Sequence, residues 1–416
     1  MKKDYDVLII GGGAAGFFTA INAVENNNSL RVAILERGKE VLTKVKVSGG
    51  GRCNVTHAEF IPKELTENYP RGEKELLGPF HTFMTGDTIG WFEEKGVGLK
   101  IEDDGRMFPE TDSSQTIIDC FTSETERLGI EVLTNHSVKE IHKTEHGWEL
   151  TTSEAIFSSR KLVIASGSNP KVWKMLEALG HTIESPVPSL FTFNIKDDRI
   201  TDLPGVATPA FVTVIDNNGK HLLESEGPLL ITHWGMSGPS ILKLSAWGAR
   251  LLAPSDYHFK IKVNWLPNVS EEEIIKNLKE LKTNNAKQFP HTYSQFELPK
   301  RLWQSLLKAA GFREDQKWAD IGHPLIDELA KQLVAGIFDV NGKSTFKEEF
   351  VTAGGVELKE VNFKTFESRI HKGLYFAGEV LNIDAITGGF NFQNAWTGGF
   401  LVAKAIAEAS PLERGD

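Results

Sequence analysis

Short, mainly apolar runs occur at four places along the chain, at residues 7–10, 31–35, 161–165 and 374–377, and the second and third each begin with one basic residue. Such runs are typical of parallel strands that are buried on both faces of a sheet. Between the first two runs, apolar residues recur at helical spacing from Ala14 to Asn26. The order strand, helix, strand predicts a βαβ unit near the N-terminus.

The pattern changes at about residue 191. Apolar and polar residues alternate at 191–195, 210–214 and 258–263, which indicates half-buried antiparallel strands. The turn sequence Asn217-Asn218-Gly219 lies between two such runs and predicts a hairpin.

Helical periodicity and many charges follow from Ser270 to about residue 334, and Ser270 before three glutamates predicts a helix N-cap. Residues 350–356 then predict a strand that ends in a glycine turn, and 394–409 predict a final helix. A β-rich and then helical insert, residues 191–342, is therefore expected to interrupt an α/β domain formed by residues 1–190 and 343–416.

Composition narrows the class of protein only a little. The 416 residues carry a net charge of -10, which disfavours binding to a nucleic-acid backbone. The two cysteines, Cys53 and Cys120, are too few for a disulfide framework or a cysteine-rich metal site, and no metal site is expected. No apolar stretch is long enough for a signal peptide or a membrane span, so a cytoplasmic protein is predicted.

A glycine motif lies between the first predicted strand and helix. Gly11, Gly13 and Gly16 match the G-x-G-x-x-G pattern, in which glycines permit a tight turn, approach of a pyrophosphate and close packing of helix and strand. Glu36 follows the second strand, where a carboxylate accepts hydrogen bonds from an adenosine ribose. The motif predicts a dinucleotide site and disfavours NADP there, but does not distinguish NAD from FAD.

Three further segments are rich in small residues. Residues 48–54 contain three consecutive glycines, and Ala165-Ser166-Gly167 follows a predicted strand. Near the end, Gly378-Glu379 follows another strand, and residues 388–395 open the last helix with two glycines. A helix N-terminus at this point would stabilise negative charge on a reduced flavin.

Together these motifs resemble the two-dinucleotide-binding-domain flavoproteins and, among them, the BaiN-like (YhiN-like) family. The resemblance also includes segments 105–109, 232–239 and 352–356, and it spans nearly the whole chain. It implies one FAD per chain and an α/β, glutathione-reductase-like Rossmann-type FAD-binding domain. It also implies that this domain is interrupted by an inserted β-barrel at 191–268 and a small, mainly helical domain at 269–342.

The resemblance assigns most of the expected cofactor contacts. The predicted FAD-binding residues are Gly11, Gly13, Ala14, Ala15, Gly16, Glu36, Arg37, Gly49, Gly50, Gly51, Arg52, Cys53, Asn54, Val138, Ala165, Ser166, Gly167, Gly378, Glu379, Asp384, Gly388, Gly389, Asn391 and Phe392. Two positions depart from the family pattern, Asn382 in place of an acid and Ala385 in place of a glycine. Both lie in the flavin-proximal loop, so substrate and redox details of relatives are not transferred.

Candidates for the reaction itself are fewer. His233 precedes a predicted helix capped by Ser237, and it is either a proton donor or a structural residue. Cys53 has no C-x-x-C partner, so dithiol chemistry is not expected. Arg52 and Arg106 either bind an anion or form structural ion pairs.

The resulting hypothesis is an FAD-dependent oxidoreductase, a reductase that takes electrons from NAD(P)H and acts on a small or medium organic substrate such as a conjugated C=C. The alternatives are a flavin-dependent RNA-modifying protein and a flavin-binding sensor without turnover. The acidic net charge disfavours the RNA alternative, and the sequence leaves the oligomeric state open.

Overall fold

The computed structural model describes residues 2–216, 218–267, 269–344 and 351–409. The strands in these ranges are β1 Lys2–Ile10, β2 Val32–Leu35, β3 Thr56–His57, β4 Leu99–Ile101, β5 Arg106–Pro109, β6 Glu131–Leu133, β7 Val138–Thr144, β8 Gly147–Thr152, β9 Ile156–Ile164, β10 Ile183–Ser189, β11 Thr192–Asn194, β12 Ala207–Ile215, β13 His221–Ile231, β14 Gly235–Ser237, β15 His258–Asn264, β16 Gly336–Asn341, β17 Lys343–Ser344, β18 Val351–Val356, β19 Val361–Asn362, β20 Glu367–Ser368 and β21 Leu374–Phe376.

The α-helices in the same ranges are α1 Ala14–Asn26, α2 Thr43–Gly51, α3 Pro62–Thr66, α4 Glu73–Phe80, α5 Thr85–Glu94, α6 Ser114–Arg127, α7 Pro170–Ala178, α8 Pro239–Trp247, α9 Ala249–Leu252, α10 Glu271–Asn284, α11 Lys300–Ala309, α12 His323–Val334 and α13 Phe390–Glu408. The chain divides into two compact units, one formed by Met1–Val187 with Lys347–Asp416 and the other by Pro188–Phe346.

The first unit has an α/β Rossmann-type fold. Its main sheet has the order β19-β20-β21-β9-β1-β2-β6, and the hairpin of β7 and β8 joins it at β9. Strands β21, β9, β1, β2 and β6 run parallel, with Val7 of β1 paired to Val32 on one side and to Lys161 on the other. The apolar runs that lack alternation form these central strands, as predicted, because both faces of the sheet are covered.

Helices α1 and α13 pack closely in this unit. A Cβ placed on Gly399 would lie 3.2 Å from the Ala15 carbonyl oxygen, and the rings of Phe18 and Trp396 have centroids 5.3 Å apart. The small residue permits the approach and the aromatic pair fills the space beside it. The N-terminal and C-terminal helices of the unit therefore share one core.

The second unit contains an antiparallel sheet of order β16-β15-β12-β13-β14-β11-β17. Alternate residues of β12 and β15 point inward, and Val212, Val214, Ile261 and Val263 are fully buried. The helices α10, α11 and α12 contribute apolar faces to the same core. The closed β-barrel and the separate helical domain stay predictions.

Three local predictions were wrong. Helix α13 begins at Phe390 rather than Asn394, because Gly389 adopts a positive φ of 95° and the helix starts directly after it. Helix α8 has Gly238 as its N-cap, since Ser237 pairs with Leu230 in the sheet. Gly354 and its neighbouring glycine extend β18 instead of forming a turn, with Gly354 pressed against the Pro186 backbone.

Other local predictions were confirmed. Helix α1 spans the predicted residues, and the Ser270 hydroxyl accepts a hydrogen bond from the Glu273 amide at 3.2 Å, as an N-cap does. Two predicted features extend outside the described residues, at Asn217 of the hairpin turn and Phe350 of the strand.

Candidate functional site

The turn between β1 and α1 tolerates only glycine at two of its positions. Gly11 has a φ of 117°, and a Cβ there would lie 2.4 Å from the Ala165 carbonyl oxygen. A Cβ on Gly16 would lie 2.1 Å from the Gly11 carbonyl oxygen. These contacts explain the first and third glycines by close packing within the protein.

Gly13 differs because it faces open space. A Cβ on Gly13 would have nothing within 4 Å, and Gly13 is the N-cap of α1 without a side-chain cap. Ala14 and Ala15 follow with short side chains. The first amides of α1 are thus accessible to an anion such as a pyrophosphate, which the helix dipole also favours.

Glu36 lies at the carboxyl end of β2, directly beside this turn. Its two carboxylate oxygens accept hydrogen bonds from the amides of Gly12 at 2.9 Å and Gly38 at 2.7 Å. Each carboxylate oxygen has a second lone pair, so Glu36 retains the capacity to accept from a ribose diol. The exposed Arg37 follows it.

The chain that leads into Val138 lies alongside the backbone of residues 36–38. The amide of His136 donates to the Glu36 carbonyl at 2.8 Å, and the amide of Asn135 donates to the Gly38 carbonyl at 2.9 Å. Val138, two residues further on, begins β7 and is half-buried. The structure thus places Val138 in the neighbourhood of Glu36, although the two are far apart in sequence.

The glycine segment at 48–54 interrupts helix α2. Gly49 and Gly50 have φ values of 57° and 69°, and a Cβ on Gly50 or Gly51 would meet nothing within 4 Å. A Cβ on Gly49, by contrast, would lie 2.8 Å from the Phe108 ring. Gly50 and Gly51 therefore offer bare backbone to an adjacent ligand, and Gly49 serves internal packing.

The two arginines that the sequence leaves open form structural ion pairs. Arg52 lies 2.5 Å from a Glu102 carboxylate oxygen, and its guanidinium stacks 3.9 Å above the Phe108 ring centroid. Arg106 pairs with Glu102 at 3.2 Å and with Asp104 at 2.7 Å. Their charges are compensated within the protein, which favours the structural interpretation.

Cys53 is fully buried at a positive φ of 63°. Burial raises the pKa of its thiol to about 12, so the sulfur stays protonated at neutral pH. A neutral thiol is a poor nucleophile. The geometry therefore agrees with the sequence argument against dithiol chemistry.

Asn54 joins the 48–54 segment to the start of α13. In the orientation that satisfies both neighbours, its amide accepts from the Gly389 N–H at 3.0 Å and donates to the Thr56 carbonyl at 3.0 Å. A Cβ on Gly389 would lie 2.5 Å from the same Thr56 oxygen. The two glycine-rich segments thus lie in direct contact.

Gly378 and Ala165-Ser166-Gly167 converge on the first glycine motif. A Cβ on Gly378 would lie 3.1 Å from the Ala15 Cβ, and one on Gly167 would lie 3.7 Å from a Glu379 carboxylate oxygen. Glu379 is also paired with Lys44 at 2.7 Å. Segments from both ends of the chain therefore meet at the carboxyl edge of the parallel sheet, where α/β proteins bind ligands.

Two predicted residues support the flavin-proximal loop from within. Asp384 is fully buried, and both of its carboxylate oxygens pair with Arg71. Asn391 accepts from the Ala385 amide at 3.0 Å and donates to the Ala385 carbonyl at 3.3 Å. Their side chains hold the loop after Gly378 in place, a supporting function that spacing alone does not distinguish from direct binding.

Phe392 stacks on Trp396, with ring centroids 5.5 Å apart and planes 9° from parallel. Gly388, one residue before the helix N-cap, has a φ of 139°. The Phe392 ring is therefore packed within α13 itself.

One buried polar residue near this point was not among the predicted contacts. Asn394 is 1 % exposed, and neither its side-chain oxygen nor its nitrogen has a hydrogen-bond partner in the protein. Its neighbour Gln393 is fully buried and bonded to Thr56, Thr88 and Thr397. A buried amide without partners is costly, so Asn394 is suited to a polar ligand group. The sequence signal was an adjacent pair of amide residues near the start of the last helix.

These features fit FAD. An open glycine at a helix N-terminus suits the pyrophosphate, and a carboxylate at the end of β2 suits the adenosine ribose. Gly50, Gly51 and the unpartnered Asn394 suit a flat, polar ring. Among the described residues, no group of histidine, cysteine or acidic side chains could hold a metal ion.

His233 belongs to the other compact unit. It lies on an exposed turn between β13 and β14, where the Thr232 amide donates to the Gly235 carbonyl at 2.8 Å. Its neighbour Trp234 is 59% exposed. The turn presents an imidazole and an indole to solvent, so His233 is free to meet a ligand.

The chain has extensive similarity to known proteins. The sequence profile described as "HI0933-like protein Rossmann domain" matches residues 5–405. A ribosomal RNA dihydrouridine synthase of Haemophilus influenzae is 29% identical, covering 98% of this chain and 100% of the relative. The protein with the same name in Escherichia coli is also 29% identical, covering 97% of this chain and 98% of the relative.

A third relative has a different name. A 3-dehydro-bile acid delta(4,6)-reductase of Clostridium scindens is 28% identical, covering 96% of this chain and 98% of the relative. Among solved structures, a 3-ketosteroid-delta4-(5alpha)-dehydrogenase of Rhodococcus jostii RHA1 has a TM-score of 0.51 at 14% identity, covering 98% of this chain and 97% of that one. The structural match supports the α/β fold. Within the described residues, no helix is both long and apolar enough to cross a bilayer.

Proposed function

The chain belongs to the HI0933-like family of FAD-dependent oxidoreductases, and from this premise we propose that it reduces a carbon–carbon double bond conjugated to a carbonyl group. The observation that carries the proposal is the chemistry shared by its relatives. Two are named for forming dihydrouridine and one for reducing double bonds of a 3-keto bile acid.

The two named reactions are chemically alike. Dihydrouridine arises when the 5,6 double bond of uracil, conjugated to the C4 carbonyl, gains two hydrogens. A delta(4,6)-reductase acts on double bonds conjugated to the C3 ketone. In both cases a hydride adds to an electrophilic carbon conjugated to the carbonyl, the β carbon for uracil and the Δ4 bond, and the δ carbon for the Δ6 bond. A proton adds to the neighbouring carbon nearer the carbonyl.

The first substrate candidate is a uracil ring in ribosomal RNA. Two full-length relatives carry that name, and the lengths match from end to end. The net charge of -10 argues against nucleic acid only if the charge is evenly distributed. The second candidate is a free cyclic enone, which the bile acid reductase supports.

FAD, when bound, supplies the hydride for this reaction. The protein contributes binding and orientation. The α1 amides beside Gly13 would hold the pyrophosphate, Glu36 would accept from the ribose, and Asn394 would orient the polar edge of the ring. His233 is proposed as the proton donor to the substrate, and NAD(P)H as the source of electrons.

The proposal is tested by an anaerobic experiment in which candidate substrates reoxidise the reduced flavin. The purified holoprotein is reduced with NADH or NADPH, excess nucleotide is removed, and reoxidation is followed by flavin absorbance. Separate samples receive unmodified ribosomal RNA or a Δ4-3-ketosteroid. Reoxidation by either acceptor, with the saturated product identified by mass spectrometry, supports the proposal and selects the substrate class.

Failure of both acceptors to reoxidise the flavin, while oxygen does so readily, would contradict the proposal. The variant His233→Asn tests whether His233 is the proton donor. If His233 protonates the substrate, the variant slows reoxidation by at least about tenfold.

A further inference from the structure

The second unit carries a long loop between two helices. Residues 285–299 connect α10 to α11 and contain neither helix nor strand. Loops of roughly 12–15 residues or more without regular structure are uncommon in compact domains and are usually functional or disordered. The contacts of this loop decide between these two cases.

The loop is anchored along its length. The amides of Trp318 and Ala319 donate to the carbonyls of Gln288 at 2.9 Å and Ala286 at 3.0 Å. The buried indole of Trp303 donates to the Pro290 carbonyl at 2.8 Å. These bonds hold the first half of the loop. Further along, the Gln304 side chain donates to the His291 carbonyl at 3.0 Å and Leu298 is buried, so the backbone on both sides of Tyr293 is also held.

Despite this anchoring, two aromatic rings of the loop face solvent. Phe289 is 37% exposed and Tyr293 is 62% exposed. Phe289 has the His291 ring beside it, with centroids 5.9 Å apart. Rings held on a rigid backbone and left open to solvent are suited to stacking with another flat group.

Positive charge surrounds these rings. The ammonium of Lys317 lies 5.9 Å from the Phe289 ring centroid. Exposed Lys287 and Lys300 lie in and beside the loop. From residue 274 to 317 the chain has nine Lys and Arg against four Asp and Glu, although the whole chain is acidic at -10.

We propose that this aromatic and basic loop, defined by Lys287, Phe289, Tyr293, Lys300 and Lys317, binds single-stranded RNA. Exposed rings stack on bases, and the ammonium groups neutralise phosphates. A single strand fits better than a duplex, because the bases of a duplex are already stacked. The inference extends the proposed function, on which it rests, by assigning the surface that holds a nucleic-acid substrate.

The test measures binding alone. A fluorescein-labelled single-stranded oligouridine of about 12 nucleotides is titrated with the holoprotein and followed by fluorescence anisotropy, alongside a duplex RNA of equal length. The oligouridine is expected to bind more tightly than the duplex. The double variant Phe289→Ala/Tyr293→Ala should raise Kd on the order of tenfold or more, because stacking on each ring is lost.

The contribution of the charged residues is tested separately, by the salt dependence of binding. Lys287→Ala/Lys317→Ala should reduce the slope of log affinity against log salt by about 0.7 for each lost phosphate contact. The matched control, Lys276→Ala/Lys279→Ala, removes equal charge from exposed positions on α10 and should leave affinity within about twofold. Equal losses in both pairs would indicate unspecific attraction and would overturn the assignment.

Other outcomes overturn it as well. These are the absence of oligouridine binding, binding that the aromatic double variant does not weaken, and a preference for duplex. A thermal unfolding midpoint unchanged in the variants excludes misfolding. Failure of the reductase proposal is distinguishable, because flavin reoxidation by a free enone does not require this loop and is measured on the same variants.

Discussion

Asp384 is buried without solvent exposure, and its two carboxylate oxygens pair with the guanidinium of Arg71, which lies on a different segment of the first unit. Removal of one partner from a buried pair leaves an uncompensated charge or unpaired donors. We expect Asp384→Asn to lower the free energy of unfolding by about 3–5 kcal/mol, measured by urea denaturation.

Two further variants make this expectation specific. Arg71→Met/Asp384→Leu removes both charges and should recover much of the loss, since well-packed apolar pairs often replace buried ion pairs. Glu149→Gln breaks the more exposed pair with Lys2 and should hardly move the urea midpoint. An Asp384→Asn protein as stable as the wild type would contradict the structural function of this pair.

The glycines of the first motif should respond differently to the same substitution. Gly13→Ala is expected to fold normally, because a Cβ there meets nothing within 4 Å, but to lose bound flavin. Gly16→Ala should fold poorly, because its Cβ would lie 2.1 Å from the Gly11 carbonyl oxygen. The measurements are the flavin-to-protein absorbance ratio and the thermal unfolding midpoint.

Gly90→Ala is the matched control for Gly13→Ala, since Gly90 also has open space around the Cβ position and lies in helix α5. It should retain a full complement of flavin. Wild-type flavin content in Gly13→Ala and in a bulkier Gly13→Val would show that the pyrophosphate does not approach this glycine.

Asn394 and Gln393 provide a pair of adjacent amides with opposite expectations. Asn394→Leu removes a buried amide without partners, whose burial costs about 1–3 kcal/mol. The flavin-free protein should therefore gain stability while its affinity for FAD falls. Thermal unfolding with and without FAD measures both effects.

Gln393→Leu should instead destabilise the flavin-free protein, because it leaves Thr56 and Thr88 without their bonded partner. If Asn394→Leu also destabilised the flavin-free protein and bound FAD normally, Asn394 would have no function in flavin binding.

His181 makes stability depend on pH. Burial lowers its pKa from the usual 6.5, although the Glu360 carboxylate 2.9 Å away opposes this effect. The unfolded chain therefore binds a proton at a higher pH than the folded chain does. Its contribution to stability is complete above pH 6.5 and is lost as the pH falls below that value.

The variant His181→Asn should flatten the dependence of the urea midpoint on pH below 6.5. The control His142→Asn replaces an exposed histidine of β7 and should hardly move the urea midpoint at neutral pH. Parallel pH profiles for wild type and His181→Asn would show that His181 does not titrate differently on folding.

Both thiols should be unreactive in the folded protein. Burial raises the pKa of Cys53 to about 12 and that of Cys120 to about 12. We expect no thiol to react with Ellman's reagent within minutes at pH 8, and two to react after denaturation. Rapid reaction of Cys53 in the native state would contradict its assignment as a buried, protonated thiol.

The sequence predicted the parallel sheet and the first glycine turn well, because each follows from local pattern. Buried strands lack alternation, and the spacing of Gly11, Gly13 and Gly16 has a direct steric reason. Glu36 was identifiable for the same reason, since the length of one βαβ unit fixes its position relative to the turn.

Pairings between distant segments could not be predicted in this way. Nothing local distinguishes Asp384 as the partner of Arg71, or Asn394 as unpartnered beside the fully bonded Gln393. The sequence likewise allows two interpretations of Arg52, and its contact with Glu102 favours the structural one. Each case depends on which segments meet in three dimensions, and a single sequence does not contain that information in a local pattern.

The parallel pairing of β9 with β21 has a consequence during synthesis. Leu162 and Leu374 are neighbours in the sheet, yet the whole second unit is translated between them. At roughly 5–20 residues per second, the emerging N-terminal half waits on the order of tens of seconds with part of the β9 edge unpaired. The nascent chain therefore passes through an aggregation-prone stage that ends when the C-terminal strand leaves the ribosome.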